Sequence, residues 1–96
     1  MLFNRFEWDE NKNIINLKKH GIDFETASKV FFDDNLIEYY DRKNSLFEDR
    51  YIAIGSIDGY ITVLVVAYTD RYNRIRIISA RYANLKERRR YYDSLC

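Results

Sequence analysis

The chain has 96 residues, 47% hydrophobic, 17% aromatic and 32% charged, with a formal net charge of +1. This composition suits a single globular domain over residues 1–96, with enough apolar mass for a core. It excludes a membrane span, since the longest apolar run is only Val63 to Tyr68, and Met1 to Glu10 lacks the apolar stretch of a secretory signal.

In chain order, Phe3 to Trp8 reads as a short edge strand. Asp9 is a fitting N-cap for a first helix over Glu10 to His20, whose apolar face is thin: Ile14, Ile15 and Leu17. Gly21 sits where a left-handed residue ends a helix. Asp23 caps a second helix, Phe24 to Phe32, with Phe24, Ala27, Val30 and Phe31 on one buried stripe. The pattern then turns to runs rich in Ile, Val and Tyr. Strands are expected at Leu36 to Tyr40, Arg50 to Ile57, Tyr60 to Thr69 and Arg74 to Arg81. A polar loop covers 41–49, Asp58-Gly59 is a two-residue hairpin signal, and Asp70 to Asn73 turns the chain. The third strand is apolar on both faces and belongs in the middle of the sheet. Asn84 and Glu87 form a capping-box pair that opens a last helix, with Leu85, Tyr92 and Leu95 as its apolar stripe. The expected architecture is α+β: two N-terminal helices, an antiparallel sheet of about four strands and a C-terminal helix.

The near-zero net charge conceals a division. Arg71 to Tyr92 holds eight basic residues against Glu87, a local charge of +7, which leaves −6 for the rest of the chain. Such an excess favours polyanions: RNA, DNA or an acidic partner. The alternative is pairing with the acidic stretch Asp33 to Asp49 across the fold. One His and one Cys cannot build a zinc site, and three scattered glycines make no phosphate loop. The acids cluster in expected loops and helix starts, which disfavours a metal-dependent nuclease, and no cofactor is expected. Cys96 can form no internal disulfide and suits a reducing cytoplasm. A helix-turn-helix reading of the first two helices fails, because Asp23 and Glu25 would repel phosphate at the start of the reading helix.

On the strand Arg74 to Arg81, regular alternation places Ile75, Ile77, Ser79 and Arg81 on one face and Arg74, Arg76, Ile78 and Ala80 on the other. Arginine's planar fork binds phosphate oxygens in pairs and stays charged at any working pH. Arg76 and Arg81 therefore suit a phosphate clamp, but a regular strand turns them apart. Only a bulge or an open edge between them brings them to one site. The other reading of each arginine is an ion pair with a neighbouring acid, with Arg88 lying along the final helix. His20 is the one imidazole, the side-chain type suited to proton transfer near neutral pH. Equally, Lys18, Lys19 and His20 in the last turn of a helix complement its dipole.

The segments FEWDENKNIINLKKHGIDFETASKVFFDD, EDRYIAIG, VVAYTDR and RIRIISARYANLKERRRYY resemble, in that order, the BrnT family of type II toxins, from Phe6 to Tyr92. The family pattern is met by Trp8-Asp9 with Lys12, by Asn16 with Lys19-His20-Gly21, and by Glu48, Arg50 and Gly55. It is met again by the run Arg76 to Arg81 and by Glu87, Arg88 and Tyr91. The resemblance implies a RelE-like fold and a ribonuclease toxin that arrests translation in the cytoplasm. It also implies neutralisation by a DNA-binding antitoxin of the BrnA type, in a toxin–antitoxin heterotetramer built through the antitoxin.

RNA carries its own nucleophile, the 2′-hydroxyl, so positioning, proton transfer and charge stabilisation can suffice without a metal. The expected clamp is Arg50, Arg76 and Arg81, with Ser79 as a hydrogen-bonding neighbour and His20 as base or acid. Lys19 is a backup for His20 and, with Arg88 and Arg89, a further RNA contact. Tyr68 or Tyr51 would stack on a base or donate a proton, against strand packing as the other reading of both rings. Trp8 is expected in the core. The alternative function is a non-catalytic module that binds RNA, the ribosome or only the antitoxin through the same surface. An RNA binder of that kind would show a steep salt dependence and leave RNA intact.

Overall fold

Local capping chemistry sets the helices of the computed structural model, which describes residues 5–95. Phe3 of the expected first strand, and Cys96, lie outside the described residues. The Asp9 carboxylate accepts the Asn11 and Lys12 N–H groups and opens α1 (Glu10–His20); Gly21, at φ 73°, closes it. Asp23 caps α2 (Phe24–Ser28), which tightens into a 3₁₀ turn (Lys29–Phe32) instead of continuing as α-helix. The strands are β1 (Phe6–Glu7), β2 (Ile37–Tyr40), β3 (Tyr51–Ser56), β4 (Val63–Arg71) and β5 (Arg74–Tyr82), and the chain closes with α3 (Leu85–Asp93).

Among the described residues the sheet has the order β1-β5-β4-β3-β2. Strands β2 to β5 form the expected antiparallel meander. The sheet is nevertheless mixed and five-stranded, because β1 pairs in parallel with β5 through Phe6↔Ile75 and Glu7↔Arg76. The α1–α2 segment carries the chain from β1 at one edge of the sheet to β2 at the other.

Alternation along β4 divides the core. Leu64, Val66 and Tyr68 point to one face, where Phe24, Ala27 and Val30 of the α2 segment are fully buried with Ile77 and Ala80. Burying one such large apolar side chain contributes about 1.5–3 kcal/mol. Trp8 joins this cluster as a partly buried neighbour, edge-on to Phe24. Val63 and Val65 point to the other face, where Ile54, Ala83 and Tyr91 of α3 complete a second cluster. Gly55 permits the close approach of β3 to the 3₁₀ turn: a Cβ there would lie 3.0 Å from Leu36 Cδ1 and 3.1 Å from Val30 Cβ.

Helix α1 does not dock by its apolar residues. Ile14, Ile15 and Leu17 are 42%, 61% and 47% exposed, and the inward residues are Asn13, Asn16 and His20. The reason is a strand edge. β1 stops pairing at Arg76, so the outer backbone of β5 beyond it needs other partners. Asn16 supplies them: its Nδ2 donates to the Ala80 carbonyl at 2.9 Å, and its Oδ1 accepts the Ala80 N–H at 3.1 Å. The same amide donates to the Ile22 carbonyl at 2.9 Å. An Asn16→Ala variant leaves these buried groups unpaired and is expected to lose about 2–3 kcal/mol in urea unfolding. A loss below about 0.5 kcal/mol would show that water replaces the amide at no cost.

Two other expectations are corrected. The two-residue hairpin turn is Tyr72-Asn73, both left-handed at φ 50° and 69°, between Arg71 and its partner Arg74. At Asp58-Gly59 the loop is longer, because the Asp58 carboxylate reaches forward to the Thr62 N–H at 2.6 Å and the Ile57 N–H donates to the Thr62 carbonyl at 3.1 Å. In α3 the buried residue is Tyr91, while Leu85 and Tyr92 are 56% and 37% exposed. Tyr91 turns inward because its hydroxyl finds an acceptor, the Asp33 carboxylate. The Asn84–Glu87 capping box opens α3 as expected.

Candidate nucleic-acid interface

Strand β5 is bulged. Ala67 pairs with Ser79 and the next residue, Tyr68, pairs with Ile77, so Ile78 is an extra residue without a partner on β4. The extra residue shifts the alternation by one. Ile75, Ile77 and Ala80 all face the main core, while Arg74, Arg76, Ser79 and Arg81 all share the face of Thr69, Ala67 and Val65. The regular-strand expectation that Arg76 and Arg81 point apart is thereby overturned. Arg50, just before β3, accepts the Asp41 N–H on its carbonyl at 2.8 Å, and continued alternation puts it on the side of Ile52, the same open face.

Carboxylates hold most of these cations. Arg81 forms a two-pronged pair with Glu87, both contacts 2.8 Å. Arg76 and Arg74 share Glu7 at 3.1 and 3.5 Å. Arg71 grips Glu48 at 3.1 and 3.0 Å. The hydrogen bonds from Arg81 pull the Glu87 carboxyl below the usual carboxylate range and raise the guanidinium in return. Planar guanidinium forks that already hold two carboxylate oxygens are preset for two phosphate oxygens. Arg50 has no such ion pair among the described residues.

At the edge of β5 the bulge opens a shallow cleft of about 200 Å³. His20, Lys19, Lys12 and Asn16 of α1 line one side, and Ile78 and Ser79 the other. His20, Lys19 and Ser79 are thus brought together, with Ser79 exposed at the rim of the arginine face. Among the described residues no three His, Cys, Asp or Glu side chains converge where they could hold a metal.

The remaining candidates lie elsewhere. Tyr68 is 7% exposed, stacked on Tyr51 and edge-on to Phe31, on the helix-covered side of the sheet. Its hydroxyl donates to Glu38, and burial together with that bond pushes its titration well up. Neither Tyr68 nor its neighbour Tyr51 reaches the arginine face, because both take the opposite side in the register. On α3, Arg89 points opposite the buried Tyr91, and Arg88 lies on the flank of Tyr92, whose hydroxyl donates to the Tyr60 carbonyl. The cation that leans over the sheet is Arg90, 4.7 Å from the Tyr39 ring. Its spacing of three from Glu87, the partner of Arg81, was the available signal.

The family model for BrnT, described as the ribonuclease toxin of a type II toxin–antitoxin system, matches residues 8–87. The chain belongs to the BrnT family. No curated protein matches it. Seen against this BrnT chain, the match takes in His20, Arg50, Arg76, Ser79 and Arg81 and ends at Glu87, which holds Arg81. Among the described residues no helix is long and apolar enough to cross a membrane.

Proposed function

We propose that this BrnT chain cuts RNA on the arginine face without a metal ion. The observation that carries this is the bulge at Ile78, which supports a single site by turning Arg76, Ser79 and Arg81 to one face, shared by Arg50, with His20 at the edge. In the reaction the 2′-oxygen attacks the adjacent phosphorus and the bond to the 5′-oxygen breaks. The products are a 2′,3′-cyclic phosphate and a free 5′-hydroxyl. One proton leaves the 2′-hydroxyl and one arrives at the 5′-oxygen, and His20, with Lys19 beside it, is suited to one of these transfers. Arg50, Arg76 and Arg81 stabilise the charge that builds on the phosphoryl oxygens, and Ser79 adds a hydrogen bond.

The wider proposal is a RelE-like ribonuclease that arrests translation in the cytoplasm. A BrnA-type DNA-binding antitoxin would neutralise it in a heterotetramer by covering this face. The test is bulk RNA incubated with the purified chain in EDTA, with and without the antitoxin. Cleavage that leaves 2′,3′-cyclic phosphate ends, and stops on adding antitoxin, is the expected result. RNA that stays intact in EDTA but is cut once magnesium is added would overturn the metal-free mechanism.

A further inference from the structure

The open face carries an aromatic ring that the clamp leaves unused. Tyr39 of β2 is 36% exposed and lies under the Arg90 guanidinium. The register sets Tyr39, Ile52, Ala67 and Ser79 in one row straight across β2, β3, β4 and β5. At about 4.8 Å per strand the row spans roughly 14 Å. On one side of it stand Arg90 and Arg81, and on the other Arg50 and Arg76.

We infer that this row is the floor of a trough for single-stranded RNA and that Tyr39 is its base-stacking platform, set a few nucleotides along from Ser79. The inference rests on the RNA-cleaving function proposed above and names part of its substrate site. A floor of Ile52, Ala67 and Ser79 between two cationic rims lets bases lie down on the sheet while phosphates follow the arginines. Every base has a π-face, so a tyrosine ring binds it without demanding a sequence. Arg90 now covers the ring, and a guanidinium can stack on a base as readily as on a phenol.

The test is fluorescence anisotropy with a short single-stranded oligoribonucleotide that carries 2′-O-methyl groups and so cannot be cut. A second oligonucleotide has the same backbone but lacks its bases. Tyr39→Ala is expected to bind the first about ten- to a hundred-fold more weakly than the wild type, with an unchanged salt slope. Tyr39→Phe should bind as the wild type does, and on the base-free strand all three proteins should bind alike. Equal affinity of Tyr39→Ala and wild type for the base-bearing strand would overturn the platform. So would an equal loss on both strands, or a loss confined to antitoxin binding. A wild type that neither binds the uncut strand nor cleaves RNA would instead overturn the proposed function itself.

Discussion

An Arg81→Ala chain is expected to cleave RNA about 100- to 1,000-fold more slowly at saturating substrate, the loss typical of one preorganised donor to a developing oxyanion. Its melting temperature should stay within a few degrees of the wild type. The Arg81–Glu87 pair is open to water, with side-chain exposures of 44% and 18%, and such pairs add little stability. Glu87 also keeps its capping bond to the Asn84 N–H at 2.9 Å without the arginine. Arg81→Lys should recover only part of the rate, because an ammonium restores charge but not the two-pronged geometry. Glu87→Gln separates the two roles of Arg81. If the arginine served only to anchor α3, both variants would lower the melting temperature alike and neither would alter cleavage. Single-turnover cleavage of labelled RNA beside a thermal melt reads both quantities. A folded Arg81→Ala chain cutting at the wild-type rate would remove Arg81 from the site.

Asp33→Ala is expected to destabilise the fold by about 3–5 kcal/mol, on the order of 15–25 °C in melting temperature. Its carboxylate joins three parts of the chain: it accepts the Ser56 N–H of β3 at 2.8 Å, the Asn35 N–H at 2.9 Å and the hydroxyl of the buried Tyr91. Removing it leaves the Tyr91 hydroxyl, in a residue of 0% exposure, without that acceptor. Partial burial raises the Asp33 carboxyl, but the donors from Ser56, Tyr91 and Asn35 outweigh it and hold the group below its ordinary value of 3.8. A carboxyl depressed in the folded state stabilises fully above its unfolded value and loses that contribution as pH falls through the folded one. The gap between wild type and Asp33→Asn in urea unfolding should therefore be full at neutral pH and narrow below about pH 4. A gap that does not change with pH would show that the charge on Asp33 is not what holds α3.

Local chemistry made the helices legible. Asp9, Gly21, Asp23 and the Asn84–Glu87 box are signals complete within a few residues, and α1 begins and ends where they place it. What depends on distant partners was not legible. Nothing near Asn16 in the chain reveals that Ala80 will lie beside it, so the thin apolar side of α1 looked like its docking face. Spacing to Leu85 and Leu95 favoured Tyr92 as the buried ring of α3, and the remote Asp33 carboxylate turns Tyr91 inward instead. The basic strand and helix were visible as charge, and Arg81 and Ser79 emerged on one face with Arg76 only through the bulge. Tyr39 and Arg90 belong to elements far apart in sequence, and no spacing rule joins them.

The bulge also governs how this strand can diverge. Along β5, side chains can be exchanged one at a time with only local consequences. A change of length is local only at the unpaired Ile78. Losing Ile78 would restore an even ladder with every remaining pair and face kept, whereas losing a paired residue between the turn and the bulge would carry everything on one side of the deletion to the opposite face. Either the arginines near Tyr72 would enter the core or the hairpin would have to be rebuilt. The residue count of β5 is thus fixed by its pairing everywhere except at Ile78, the one position whose loss would straighten the strand without turning an arginine inward.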